Sequence, residues 1–145
     1  MAQEGGEQVI AQCGVTAEAP NCECFKYAPR DEIRALIARS ELVIAQAGYG
    51  SCFDVLEIGR PLIVVPRKKE LGECQDNQVE LANHLRLTRR AIEANSLQEL
   101  RRGIAAIRAQ PVESWRPGKS GGLDLACRIS AELHRQFEMK IFHEK

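Results

Sequence analysis

An α/β fold with a mostly parallel sheet is predicted by three features of this chain. Two short runs, Leu42–Ala45 and Leu62–Val65, are wholly apolar, a helical pattern lies between them, and strand and helix patterns keep alternating on either side. A strand that is apolar at every position is one buried on both faces, as in a parallel sheet covered by helices. The first run leads into a glycine-spaced turn, Gly48-Tyr49-Gly50. A helical pattern follows from Ser51 to Ile58, and Gly59 stops it with Pro61 just beyond. The stretch from 42 to 66, LVIAQAGYGSCFDVLEIGRPLIVVP, therefore reads as one βαβ unit.

The remaining elements follow in order. Gln8–Gln12 is a strand, Gly14 to Asn21 a loop, and Cys24–Tyr27 a second strand stopped by Pro29. Asp31–Ser40 is a helix: Ile33, Leu36 and Ile37 share a face, and Asp31 and Glu32 suit the positive end of its dipole. After the central unit come a helix over Asp76–Leu85 and a weak strand over Arg89–Ile92. Ser96-Leu97-Gln98-Glu99 is a capping box opening a helix to about Arg108. A loop spans Gln110 to Gly121. A last helix covers Leu123–Phe137, with Leu125, Ile129, Leu133 and Phe137 at packing intervals. There is no internal repeat, and 145 residues suit one domain.

Composition narrows the function. Lys plus Arg equals Asp plus Glu at 20 each, which argues against nucleic acid as the main partner. No apolar run approaches the ~20 residues of a membrane span. The opening MAQEGGEQ lacks a charged-then-apolar signal pattern, so a cytoplasmic location is expected. With nothing pointing to secretion, the six cysteines are expected as reduced thiols. Cys13, Cys22 and Cys24 match no common zinc spacing, and no metal or other cofactor is expected.

The chemistry concentrates after the apolar runs. Gly48, Gly50 and Ser51 put unobstructed backbone N–H groups at the positive end of a helix, a place for an anion and above all for phosphate. The bland alternative is a tight βα turn whose glycines are only permissive. Ser51 and Asp54 stand in the S-x-x-D spacing of a capping box variant, and Asp76 suits an N-cap. Arg67, Lys68 and Lys69 form a basic run that is a solvated face, a counter-charge for phosphate, or a partner contact. A nicotinamide dinucleotide fingerprint fails, because Phe53 stands where the third glycine belongs.

AQAGYGSCFDVLEIGRPLIVVP, residues 45–66, resembles the donor-nucleotide segment of the glycosyltransferase family 28 C-terminal domain. That family carries Ser-His-Ala-Gly-x-Gly-Ser/Thr, an acidic residue one turn on, then Gly-Lys/Arg-Pro and an apolar strand. RKKELGECQDNQVELANHL, which follows, is similar to the small members that pair with a membrane chain. These include bacterial exopolysaccharide and capsule glycosyltransferase subunits and the soluble subunit of the dolichol-linked N-acetylglucosaminyltransferase. The resemblance runs from about Gln8 to Leu100.

It implies the C-terminal half of a GT-B glycosyltransferase, a Rossmann-like sheet with helices on both faces, here without the family's usual first strand and helix. It also implies one domain over 1–145 that binds a UDP-sugar. Gly48, Gly50 and Ser51 would take the diphosphate, Asp54 the ribose, Pro29 and Arg30 the uracil, Asp76 and Gln78 the sugar, with Arg67 nearby. No residue of the chain resembles a general base, so catalytic residues are expected elsewhere. The implied activity is that of the donor-binding subunit of a split inverting hexosyltransferase, moving sugar to a lipid-linked acceptor in polysaccharide or glycolipid synthesis. Its partner would be a membrane-anchored acceptor-binding subunit, through which any membrane contact comes. The alternative is a non-catalytic or truncated nucleotide-sugar-binding module. One departure stands out: the family's His is Gln46 here, which removes an imidazole proton switch from that position.

Overall fold

The computed structural model describes residues 7–75 and 77–110, which fall into two compact units meeting at Arg39 and Ser40. In the first unit, β1 (Ile10–Gln12) pairs in parallel with β2 (Glu23–Phe25), with Ala11 opposite Cys24. α1 (Arg30–Arg39) follows, with Asp31 and Glu32 in its first turn and Arg39 in its last, the arrangement that complements the helix dipole. Its start is one residue earlier than expected, because the carbonyl of Pro29 accepts the first bond, from the Ile33 N–H at 3.1 Å.

The second unit holds β3 (Val43–Ala45), α2 (Tyr49–Ile58), β4 (Leu62–Val64), a short 3-10 turn at Lys69–Leu71, α3 (Gln78–Leu87), β5 (Ile92–Glu93) and α4 (Leu97–Arg108). The sheet order is β3-β4-β5, all parallel, with Ile44 opposite Ile63 and Ile63 opposite Ile92. The mostly parallel α/β reading of the sequence is thus what the chain adopts.

The apolar run of β4 is explained by its place. Leu62, Ile63 and Val64 are each fully buried, in the middle strand of this sheet. Alternation sends Ile63 to one face and its two neighbours to the other. Ile63 packs with Ala94 and Ile107, joined by Leu42, Ile92, Leu100 and Ile104, so α4 covers that face. With the right-handed connections that parallel βαβ units almost always take, the β3-α2-β4 and β4-α3-β5 crossovers would carry α2 and α3 over the opposite face. Gly103 is where α4 comes closest to the sheet. A Cβ there would meet Ile63 Cδ1 and Ile92 Cγ2, each at 3.2 Å.

In the second unit the bounds of α2, α3 and β5 depart furthest from expectation. α2 begins at Tyr49 rather than Ser51, since Gly48 itself takes the N-cap position and accepts from the Cys52 N–H at 3.1 Å. The N-cap of α3 is Asn77, whose side chain accepts from the Glu80 N–H, and not Asp76, which lies outside the described residues. β5 starts three residues late because α3 runs to Leu87 and closes with Arg89 in the left-handed region at φ 55°. The Arg89 N–H donates to Arg86 O, and the Arg90 N–H donates to Leu85 O. At α4 Ser96 Oγ accepts from the Glu99 N–H, as the expected capping box requires, but Glu99 reaches back to the Asn95 N–H, one residue before the N-cap, and not to that of Ser96. The expected helix over Leu123–Phe137 and all but the first residue of the loop before it lie outside the described residues.

Filling the close approach at Gly103 with Leu is expected to destabilise the fold by about 1–3 kcal/mol, as overpacked cores do. Chemical denaturation measures this. An unchanged midpoint would show that α4 does not seat on Ile63 and Ile92 as described.

Candidate functional site

In a parallel sheet the loops that leave the carboxyl ends of the strands are where ligands are held. In the second unit those loops carry most of the residues singled out from the sequence. The chain leaves β3 at Ala45, makes a tight reversal with the Gly48 N–H donating to Gln46 O at 2.7 Å, and enters α2. It leaves β4 at Val64, passes Arg67, and returns to the start of α3 at Gln78. Gly48, Gly50, Ser51, Arg67 and Gln78 are therefore gathered at one edge of the sheet by topology alone.

The glycines at this edge have no structural reason to be glycines. Gly48 has φ −79° and ψ 133°, an extended conformation open to any residue, and a Cβ at Gly48 or Gly50 would meet nothing within 4 Å. Gly50 sits in the first turn of α2, where glycine is a poorer helix former than alanine. The N–H groups of Tyr49, Gly50 and Ser51 are the first of the helix and have no intrahelical acceptor. No side chain caps them from Gly48. Open space above uncapped N–H groups is what a phosphate needs and what a side chain would obstruct.

Asp54 lies further along α2 and is 6% exposed. With the helix starting at Tyr49, Ser51 is inside the first turn and not at the cap. The S-x-x-D pair is therefore not a capping box.

Gln78 is 4% exposed, and its Oε1 accepts from the Arg67 N–H at 3.1 Å. This bond ties the loop after β4 to the first residue of α3, a role that sequence reading did not assign. Among the described residues only the carbonyl of Gln78 is engaged, which leaves its Nε2 as the donor to offer. The basic run is also organised. Glu73 accepts from the Lys68 N–H at 2.7 Å, Gly72 closes the 3-10 turn at φ 72°, and the Cys74 thiol donates to Arg67 O at 3.4 Å. Arg67, Lys68 and Lys69 are exposed. His84 is exposed on α3. Pro29 and Arg30 belong to the first unit, at the start of α1, and both are exposed. Asp76 lies outside the described residues.

Two features escaped the sequence reading. Tyr49, 70% exposed between the two glycines, stacks on Phe53 with ring centroids 6.2 Å apart. The signal was available as an aromatic pair at i, i+4. Cys52, 2% exposed, donates to Gln46 O at 3.7 Å, and burial pushes its thiol up to about 11. Among the described residues no group of three or more His, Cys, Asp or Glu could hold a metal ion, and no helix is long and apolar enough to cross a membrane.

Comparison with known proteins adds the following. The model of the glycosyltransferase family 28 C-terminal domain matches residues 2–114. The UDP-N-acetylglucosamine transferase subunit ALG13 of Homo sapiens is 37% identical over 87 residues, covering 56% of this chain and 7% of its own length. That of Mus musculus is 39% identical over 68 residues, covering 47% of this chain and 5% of its own. This chain thus spans less than a tenth of the curated relatives it matches. A crystal structure of the glycotransferase of kitacinnamycin is 18% identical with a TM-score of 0.49, covering 72% of this chain and 27% of that one.

The Cys52 thiol carries a pH prediction. Its folded pKa of about 11 exceeds its ordinary value of 9.0, so the folded state holds the proton more tightly. The resulting stability is complete below pH 9.0 and is lost as pH rises through about 11. Cys52→Ala should remove that part of the alkaline loss. Denaturation midpoints between neutral pH and pH 11 for both proteins measure it, and parallel curves would refute it.

Proposed function

This chain belongs to the glycosyltransferase family 28 C-terminal domain family, and from that premise we propose that it binds the UDP-sugar donor of a glycosyl transfer reaction. The observation that carries the reading is the pair Gly48 and Gly50. Neither φ nor packing requires glycine at these positions, yet both border the uncapped N-terminus of α2. A diphosphate seated there accepts from the first-turn N–H groups and lies at the positive end of the helix dipole. The same groups stabilise the charge that builds on the leaving diphosphate as the sugar departs, with no metal ion required. The relatives' designation as a UDP-N-acetylglucosamine transferase subunit supports UDP as the nucleotide.

The other contacts follow the family pattern. Asp54 accepts from the ribose hydroxyls. Gln78 donates through Nε2 to the sugar while its carbonyl holds Arg67, and Asp76 joins it on the family pattern alone. Arg67 supplies positive charge beside the phosphates. Pro29 and Arg30 meet the uracil, again on the family pattern alone.

The chain acts as one donor-binding domain and as a subunit. No described residue near the glycine turn is placed to take a proton from an acceptor hydroxyl, a group that transfer to an alcohol requires. A membrane-anchored partner brings that base together with a lipid-linked acceptor, in polysaccharide or glycolipid synthesis, and holds this chain at the cytoplasmic side. The second reading, a nucleotide-sugar-binding module without transfer, is favoured by the same absence of a base among the described residues.

Gly50→Ala separates a ligand site from a structural turn. Alanine should raise stability by about 0.5–1 kcal/mol, because it loses less backbone freedom in the helix. It should weaken UDP binding about tenfold or more by standing where the phosphate sits. Calorimetry with UDP, in EDTA and in Mg²⁺, reads affinity. Unchanged affinity, or strict dependence on Mg²⁺, would sink the assignment. In the same titrations Gln78→Glu, which keeps the acceptor for Arg67, should weaken UDP-sugar binding several-fold and spare UDP. An equal loss for both would reassign Gln78 to a purely structural role.

The isolated chain should bind UDP and transfer no sugar. Purified chain is assayed with several UDP-sugars and lipid-linked acceptors, with and without the candidate partner. Robust transfer by the chain alone would overturn the subunit reading. Donor binding with no transfer even beside its partner would favour the binding module.

A further inference from the structure

Three of the six cysteines are drawn together in the first unit by the pairing of β1 with β2, and the donor-site reading uses none of them. Asn21 takes the left-handed conformation at φ 61°, which asparagine tolerates better than most residues, and folds the chain back just before β2. The fold-back brings Cys22 and Cys24 onto one acceptor. Both thiols donate to Ala19 O, Cys22 at 3.3 Å and Cys24 at 3.6 Å. Their two sulfurs are 3.6 Å apart. Cys13 follows directly on β1, and its N–H donates at 2.8 Å to the carbonyl of Phe25, the residue after Cys24 on the paired strand. All three are half-buried and reduced, unlike Cys52 in the core.

We propose that Cys22 and Cys24 form a redox-active dithiol, a modification site that closes to an intramolecular disulfide on meeting a low-molecular-weight disulfide, with Cys13 as a third thiol able to exchange into it. One thiolate of the pair attacks a sulfur of the small disulfide. The first S–S bond breaks, a mixed disulfide forms, and one small thiolate leaves. The second protein thiolate then attacks the protein sulfur of that mixed disulfide and expels the other small thiolate. The two protons lost by the cysteines end on the two small thiols, so one disulfide is reduced as one is made.

Two further features fit reversible chemistry and not a structural staple. A bridge between residues two apart closes a very short loop and removes little entropy from the unfolded chain. Oxidation also strips both S–H donors from Ala19 O, so the reduced turn is the better bonded one. A hydrogen bond with Cys24 favours the protonated Cys13 and raises its thiol above the ordinary value, so Cys13 is held back from the first attack.

The test incubates the full chain with oxidised glutathione, then alkylates the remaining thiols and maps peptides by mass spectrometry. The expected product is a Cys22–Cys24 peptide two hydrogens lighter, without retained glutathione and restored by dithiothreitol. Cys52 should remain fully alkylatable after unfolding. In a Cys13→Ser/Cys22→Ser variant, where serine can still donate to Ala19 O, Cys24 should keep glutathione because neither neighbouring thiol is left to expel it. The proposal is overturned if the unaltered chain keeps glutathione on Cys22 or Cys24. It is equally overturned if both remain free thiols under conditions that oxidise a simple dithiol.

Discussion

Everything in the second unit depends on burying β4 on both faces. Leu62, Ile63 and Val64 have no exposed surface, so helices must cover the sheet above and below. Each fully buried side chain of this size contributes about 1.5–3 kcal/mol relative to exposure, more than any single polar contact at the edge. That burial requires parallel strands joined by crossover helices. Parallel strands in turn put every strand-to-helix loop at the same end of the sheet. The glycine turn before α2 and the loop to α3 are neighbours in topology because β4 is apolar throughout, and not because of any attraction between them.

The site at that edge is built mainly from backbone. Side chains ordinarily announce a function, but here the informative positions are those where the side chain is absent. Gly103 and Gly48 make the contrast. A Cβ at Gly103 would press on Ile63 and Ile92, so packing accounts for that glycine. A Cβ at Gly48 would enter open space, and the backbone there is extended. The cause we propose for the second kind is a ligand that approaches main-chain N–H groups closely. A phosphate group fits that requirement, with the helix dipole oriented to favour it.

How much of this was legible in the sequence depends on which force decides each position. The alternation of elements and the double burial of β4 were plain, because hydrophobic pattern decides them and is local, but the same pattern overstated β3, an outer strand of this sheet in which Ile44 is 47% exposed. Equally plain was the helix start at Ser96, which two side chains announce. The start of α2 was misplaced because serine is a familiar cap and glycine a silent one. The same habit put a cap on Asp76 where Asn77 provides it. The end of α3 was unreadable for a related reason: Arg89 takes a left-handed conformation with no glycine to mark it. The bond from the Arg67 N–H to Gln78 joins residues eleven apart and depends on how the 3-10 turn folds, which no local pattern encodes. The candidate site residues were legible as a set through resemblance to the family. What the structure adds is the distinction between those the fold explains, Gln78 in part, and those it does not, Gly48 and Gly50.

The change of the family's His to Gln46 bears on how such a site would work. The Gly48 N–H donates to the backbone carbonyl of Gln46 at 2.7 Å, and the buried Cys52 thiol approaches the same oxygen at 3.7 Å. The tight reversal into α2 thus rests on the main chain at position 46, and its side chain is exposed and not needed for the turn. Replacing imidazole with an amide leaves the turn intact while removing a group whose charge changes near neutral pH. On the proposed reading, what remains to meet a diphosphate is the helix dipole and the charge of Arg67. On the same reading, donor binding at this edge rests on shape and preorganised dipoles, and proton transfer on a group from the acceptor side.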